Sequence, residues 1–251
     1  MLPFPRLIEY GNAVLHWYDG ALIAYDSTLI RTTNTFTDFK NNNMVLTTNN
    51  SSVLPSKGSE VFKYGTGIII PGGINDSSTG NGNASIGTSS VLNSVINSSW
   101  AVDFWVKVST LQNNNGFNLF PITHYPSVAW NTYSTRVAIG CYNNAYSIWN
   151  NSGGALASIS GVMNNLGSST FQHFAMQYDS TNHTITCFLN GVIWGSINFT
   201  INYNTGSTGF LRIMGSNNAT YNGIIERYRF RTGLPFISSG FSLSTLYPDG
   251  S

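Results

Sequence analysis

Acid–base chemistry in this chain would rest on ten carboxylates: Glu9, Asp19, Asp26, Asp38, Glu60, Asp76, Asp103, Asp179, Glu226 and Asp249. Cleaving a glycosidic bond takes two carboxylates that flank the bond. Asp103 stands alone in its stretch and Glu226 is followed by Arg227, so no pair has usable spacing. No enzyme is expected. Asp103 is expected to make a structural hydrogen bond or a surface pair with Lys107. No Ser/His/Asp arrangement and no Gly-rich phosphate loop is legible. Cys141 and Cys187 are too few for a disulfide framework. Two buried free thiols are the favoured reading, with a single bridge left open.

Aromatic rings give a stronger site signal. The stretch His124 to Tyr133 places Tyr125, Trp130 and Tyr133 in polar, Pro-containing text beside Asn131. It reads as a loop. Rings in a loop can stack on sugar faces, and amides can bond sugar hydroxyls. Trp149, just before Asn150-Asn151, joins them as a candidate glycan contact. The bland alternative is that these rings cover a sandwich edge or a neighbouring subunit.

The elements that would hold such residues read as short strands. In Phe171 to Gly195, Phe174, Met176 and Tyr178 recur every second residue, the period of a strand with one buried face. Asp179 to His183 is a polar turn, after which Ile185, Cys187 and Leu189 resume the alternation. Asn190-Gly191 is a strong hairpin signal, because both central residues of a type I′ turn take positive φ. Trp100 to Val108 reads as a central strand, with Trp100, Val102, Phe104, Val106 and Val108 on the core face. Further strands are expected at residues 14–18, 21–25, 44–48, 67–70, 117–122, 135–142, 146–149, 210–214 and 224–230. Residues 34–43 and 75–90 read as polar loops, and residues 160–169 could hold one helical turn. Short strands at this spacing predict an all-β sandwich.

The order of these stretches resembles the laminin-G-like, concanavalin A-like jelly roll. The strand Phe171-Gln172-His173-Phe174-Ala175 and the return Phe188-Leu189-Asn190-Gly191 are similar to its hairpin. Residues 14–20, Phe62 to Gly67, Trp100 to Lys107 and Glu226 to Arg231 match other strands in the family's order. The resemblance spans roughly residues 12–232 and implies a two-sheet antiparallel jelly-roll sandwich. It is weakest between Leu111 and Thr170, and Phe171 stands where the family prefers Trp. Related glucanases carry Glu-x-Asp-x-Glu along one strand, and no such triplet exists here. Relatives often hold calcium with loop Asp oxygens. Asp19, Asp38, Asp76 and Asp179 are placed for this, but their spacing supports no site, and Asx turns explain them. No cofactor is expected. His173, in the matching strand, is read as a hydrogen-bonded structural residue.

Three units follow: an N-terminal arm at 1–11, the sandwich at 12–232, and a C-terminal tail at 233–251 that packs on the sandwich or a partner. An edge strand is the alternative for the arm. Pro3, Phe4, Pro5 and Ile8 in the arm, with Phe236 and Phe241 in the tail, are candidate attachment residues.

Only 8% of residues are charged, against the usual quarter, and Asn, Ser, Thr and Gly take their place. A net charge of +1 gives no basic field for nucleic acid. No helix-length apolar run occurs, so no membrane span is expected. Met1 to Arg6 lacks a signal-peptide pattern. An exterior-style surface without a signal predicts assembly in a host cytoplasm and display on a virion. The leading expectation is therefore a non-enzymatic virion protein, of the kind found in bacteriophage structural proteins: a capsid decoration or a tail or fibre component. Its partners would be other virion proteins and host-surface glycans, with a homo-oligomer left open. The alternative is a carbohydrate-binding module or lectin, secreted or used in host recognition. A glycan-degrading enzyme ranks third.

Overall fold

Alternating large apolar and small or polar residues form strands that share one core. The structure, a computed structural model, describes residues 16–29, 35–48, 56–62, 65–70, 84–87, 91, 94–108, 123–125, 138–142, 145–149, 155–160, 170–201, 210–213, 223–236 and 240–243. Among them sixteen strands make two eight-stranded sheets. The first sheet runs β14 (Val192–Asn198), β13 (Thr184–Leu189), β12 (Gln172–Asp179), β7 (Trp100–Val108), β16 (Gly223–Thr232), β5 (Gly65–Ile70) and β4 (Ser56–Phe62). Strand β1 (Ile23–Tyr25) also pairs with β16. The second runs β11 (Ala155–Ser160), β10 (Ala145–Trp149), β9 (Ala138–Tyr142), β8 (Thr123–Tyr125), β15 (Phe210–Ile213), β6 (Ala84–Gly87), β3 (Asn43–Thr48) and β2 (Thr35–Thr37). Neighbours such as β7–β16 and β3–β6 are antiparallel and distant in sequence. This is an all-β, two-sheet antiparallel jelly-roll sandwich.

The core lies between the sheets. Trp100, Val102, Phe104 and Val106 of β7 meet Phe174, Met176 and Tyr178 of β12, with Phe36, Met44 and Leu46 supplied by the second sheet. Burying each such side chain contributes about 1.5–3 kcal/mol. Phe104 stacks on Tyr228 at 5.9 Å, and Tyr228 on Tyr25 at 4.9 Å, tying β7, β16 and β1 into one ring column. The Asn190-Gly191 turn has φ of 52° and 81°, as a type I′ hairpin requires.

Several expectations are corrected. Residues 16–18 are not strand: Trp17 to Gly20 form a turn, because the His16 N–H donates to Asp19 Oδ2 (2.8 Å) and the Asp19 N–H to the His16 carbonyl (3.0 Å). The expected loop at 34–43 contains β2, whose Phe36 is buried between two exposed threonines. The expected loop at 75–90 contains β6, which bridges β15 and β3. His124 and Tyr125 lie on β8 rather than in a loop. The last strand is bulged between Glu226 and Arg229, with Arg227 at φ 51°. That extra residue keeps Ile225 and Tyr228 both in the core. Residues 1–15 and 161–169 lie outside the described residues, as do those expectations that fall on them.

Candidate functional site

Register places two of the candidate ring positions on one surface. In the second sheet Leu46 of β3 points into the core and pairs with Ile86, which pairs with Ile213. Residues directly opposite one another share a face, and neighbours along a strand alternate. Arg212 pairs with Thr123, and Phe210 with Tyr125, so Tyr125 belongs to the face away from the core. Thr123 pairs with Ala138, and Ala138 with Trp149. Tyr125 and Trp149 therefore occupy the same outer face, two strands and two residues apart, roughly 12 Å. Trp130, Asn131 and Tyr133 lie outside the described residues.

The first sheet hides a polar cluster on its own outer face. Asp103 of β7, His173 of β12 and Arg229 of β16 are each 0% exposed. The Arg229 Nε donates to both Asp103 oxygens, at 3.0 and 3.1 Å, and its guanidinium also donates to the Trp17 carbonyl. His173 Nε2 donates to Asp103 Oδ2 at 3.1 Å. Burial alone would raise the Asp103 pKa. The Arg229 guanidinium, aided by His173, outweighs burial and holds the carboxyl well below the usual carboxylate range. Burial pushes the His173 imidazole below its ordinary value, against the pull of Asp103, and Arg229 and Arg231 add to that push. An ionised carboxylate thus faces a guanidinium and a neutral imidazole. Of the two roles expected of Asp103, the structural hydrogen bond is the one seen, because the carboxylate is sealed rather than at the surface; the Lys107 amine lies over the Phe171 ring, 5.8 Å from its centroid. The cluster was missed in the sequence. Its signal was there: Ala101 and Trp105, the neighbours of Asp103 on that face, are too apolar for a solvated surface.

Two segments seal this face. Trp17 and Ala21 pack with Ala24 and Trp105. Phe236, 3% exposed, packs with Ala101, Ala175 and Phe188, and Phe241 joins them. Of the two fates the sequence left to Phe236 and Phe241, the structure has them packed on the sandwich itself. Pro3, Phe4, Pro5 and Ile8 lie outside the described residues.

Loop carboxylates bind their own chain. Asp38 accepts from the N–H groups of Ala24 (2.9 Å), Lys40 (2.9 Å) and Asn42 (2.7 Å). Asp179 accepts from Thr181 (2.8 Å), Asn182 (3.1 Å) and the Asn182 amide (2.7 Å). The Asn182 bonds lower its pKa. Asp76 lies outside the described residues, among which no group of three His, Cys, Asp or Glu could hold a metal. Cys187 is a free, buried thiol whose pKa burial pushes up, which leaves it unreactive. No described helix is long and apolar enough to cross a membrane.

No family model matches the chain, and no curated protein matches it in sequence. Solved structures do match in fold. Domain 4 of AbnA, a GH43 extracellular arabinanase from Geobacillus stearothermophilus, solved in complex with arabinotriose, is 15% identical with a TM-score of 0.58, covering 92% of this chain and 98% of that one. The binding domain of Paraclostridial Mosquitocidal Protein 1 is 13% identical with a TM-score of 0.55, covering 92% and 52%. A structure of botulinum neurotoxin type C, whose cell entry depends on interaction with two ganglioside molecules, is 13% identical with a TM-score of 0.53, covering 86% and 49%. The chain spans about half the length of these toxin structures and nearly all of the arabinanase domain. The β-sandwich is thus shared with binding domains of toxins and with one domain of a glycosidase.

Proposed function

We propose that the chain is a non-catalytic recognition module of lectin-like fold whose ligand is a glycan. The observation that carries this reading is the register of Tyr125 and Trp149, which puts two aromatic positions on one outer sheet face. The arabinotriose complex of a similar sandwich and the ganglioside dependence of a similar toxin support sugar as the ligand class. The Asp103 carboxylate is held by Arg229 and His173, a structural use rather than a catalytic one. Titration of short neutral oligosaccharides and ganglioside headgroups should give saturable binding and no new reducing ends. Tyr125→Ala and Trp149→Ala should each weaken it about tenfold. Full affinity in the double variant would remove this face from the reading.

The composition supports a particular setting for such a module. A neutral, amide- and hydroxyl-rich surface with 8% charged residues fits display on a virion, as a capsid decoration or a tail or fibre component. Such a chain would be assembled in a host cytoplasm beside other virion proteins. Quantifying the chain in purified virions tests this. A fixed stoichiometry is expected, and its absence would leave the recognition module without the virion.

A further inference from the structure

The turn that covers the first sheet and the β2–β3 connection together build a column of three rings. Phe39 stacks on Tyr18 at 4.7 Å and 1°, and Tyr18 stacks on His16 at 5.0 Å and 3°. Trp17 meets both Tyr18 and Phe39 edge-on, at 5.6 Å in each case. Trp17 does the covering: it is 5% exposed, its carbonyl accepts from Arg229, and Arg227 lies over its ring at 5.4 Å. The column leads away from that seal, from half-buried Phe39 and Tyr18 to exposed His16. The ring at its outer end, that of His16, is exposed rather than packed into the seal.

The column is also held stiffly. The Asp19 carboxylate fixes the His16 N–H, the Ala21 N–H donates to the Tyr18 carbonyl at 3.1 Å, and the Phe39 N–H donates to the Ala24 carbonyl at 2.9 Å. Parallel rings on a pre-organised turn lose little freedom when a ligand arrives. Asp19 follows Tyr18, and Lys40 and Asn41 follow Phe39, and all three are exposed: a carboxylate, an amine and an amide on the two turns that carry the rings. An exposed flat ring at the end of a stacked column suits the apolar C–H face of a sugar ring. A chain of net charge +1 offers a nucleotide no comparable field for its phosphates.

We propose that the His16–Tyr18–Phe39 column is a second glycan subsite, on the face of the sandwich opposite Tyr125 and Trp149, where a sugar ring stacks on the outer end of the column. Its choice of ligand rests on the function proposed above; its location does not. The test uses the full 251-residue chain and the same short neutral oligosaccharides, followed by titration and by the imidazole proton resonances of His16. The Tyr125→Ala/Trp149→Ala double variant isolates the second subsite. It should retain binding that shifts the His16 resonances. Adding His16→Ala should weaken that residual binding about tenfold, and His16→Phe should restore it. His16 is exposed, so a thermal melt should be unchanged by either substitution. If the double variant binds nothing while the native chain binds, the column is overturned and the proposed function stands. Residual binding indifferent to His16→Ala also overturns the column. If the native chain binds no sugar at all, both readings fall.

Discussion

Replacing Asp103 with Asn keeps the shape of the side chain and removes the charge that Arg229 and His173 were arranged around. A buried guanidinium without its counter-charge typically costs 3–5 kcal/mol, more than the pair itself is worth against an apolar substitute. Asp103→Asn should therefore lower stability by about that amount, while Asp103→Leu/Arg229→Met should recover part of it. The recovery is partial because Arg229 also satisfies the Trp17 carbonyl. Denaturant melts of the variants check both. His173 adds a pH dependence. Its folded pKa lies below the ordinary value, so the unfolded chain binds a proton that the folded chain does not. Stability is then full above about pH 6.5 and falls as pH drops below it, by at most ~1.4 kcal/mol per pH unit. Asp103, whose folded pKa is depressed, acts in the same sense further down: its contribution is present above about pH 3.9 and is lost as pH falls toward the folded value. Melting temperature should drop between pH 7 and pH 5, and His173→Gln should flatten that slope. An unchanged slope would mean that another group titrates.

The hairpin β13–β14 makes a test at the scale of the element. Gly191 has φ 81°, and a Cβ there would meet the Phe241 carbonyl oxygen at 2.2 Å. Gly233 has φ 80° and nothing within 4 Å of the same atom. Gly233→Ala should lose only the backbone preference, roughly 1–2 kcal/mol, whereas Gly191→Ala must also push away the tail. Comparable melts for the two would show that the contact with Phe241 carries no weight. The turn itself was legible because Asn-Gly is a local signal, as were β7, β12 and β13, which are long enough to show a period of two. Strands β2 and β6 were not. Thr35-Phe36-Thr37 and Ala84-Ser85-Ile86-Gly87 hold one large apolar residue each, too little for a period, and their pairing with β3 supplies what the local sequence lacks. The turn at Trp17 was misread because its alternation of rings resembles a strand, while the Asp19 bond that closes it is a side-chain effect. Of the site, the ring positions Tyr125 and Trp149 could be named from residue type, but their shared outer face needed five pairings across six strands. The Asp103 cluster joins residues 70 and 126 positions apart, which no local pattern can show.

At the scale of the molecule, the first sheet has a core on one side and a covering layer on the other, and the covering layer comes from the two ends of the described chain. The N-terminal turn seals the β1–β7 side through Trp17 and Ala21, and the C-terminal segment crosses β12 and β13 through Phe236 and Phe241. The crossing is pinned at both ends. The Phe236 N–H donates to Gln177 Oε1 at 3.3 Å, and the Phe241 N–H donates to the Gly191 carbonyl at 2.8 Å. Phe241 also meets His173 edge-on at 5.8 Å, so the segment forms part of the roof over the polar cluster. Removing a buried Phe side chain costs about 3–5 kcal/mol, against a total stability of about 5–15 kcal/mol for a domain. Deleting residues 236–251 removes buried Phe236 and half-buried Phe241, bares Phe188 and brings water to Asp103 and His173. The truncated chain should melt far below the native one or fail to fold. Because failure to fold is hard to read, Phe236→Ala is the graded version. It should keep the fold and lower the melting temperature by roughly 6–20 °C. Leu234→Ser, at a side chain 45% exposed, should leave the melt unchanged. A truncated chain that melts like the native one would show that the segment is not needed by the sandwich. Under the proposed display on a virion, Phe236 and Phe241 would then be free to dock on a partner, and deletion of residues 1–10 would test the other end of the chain as the attachment.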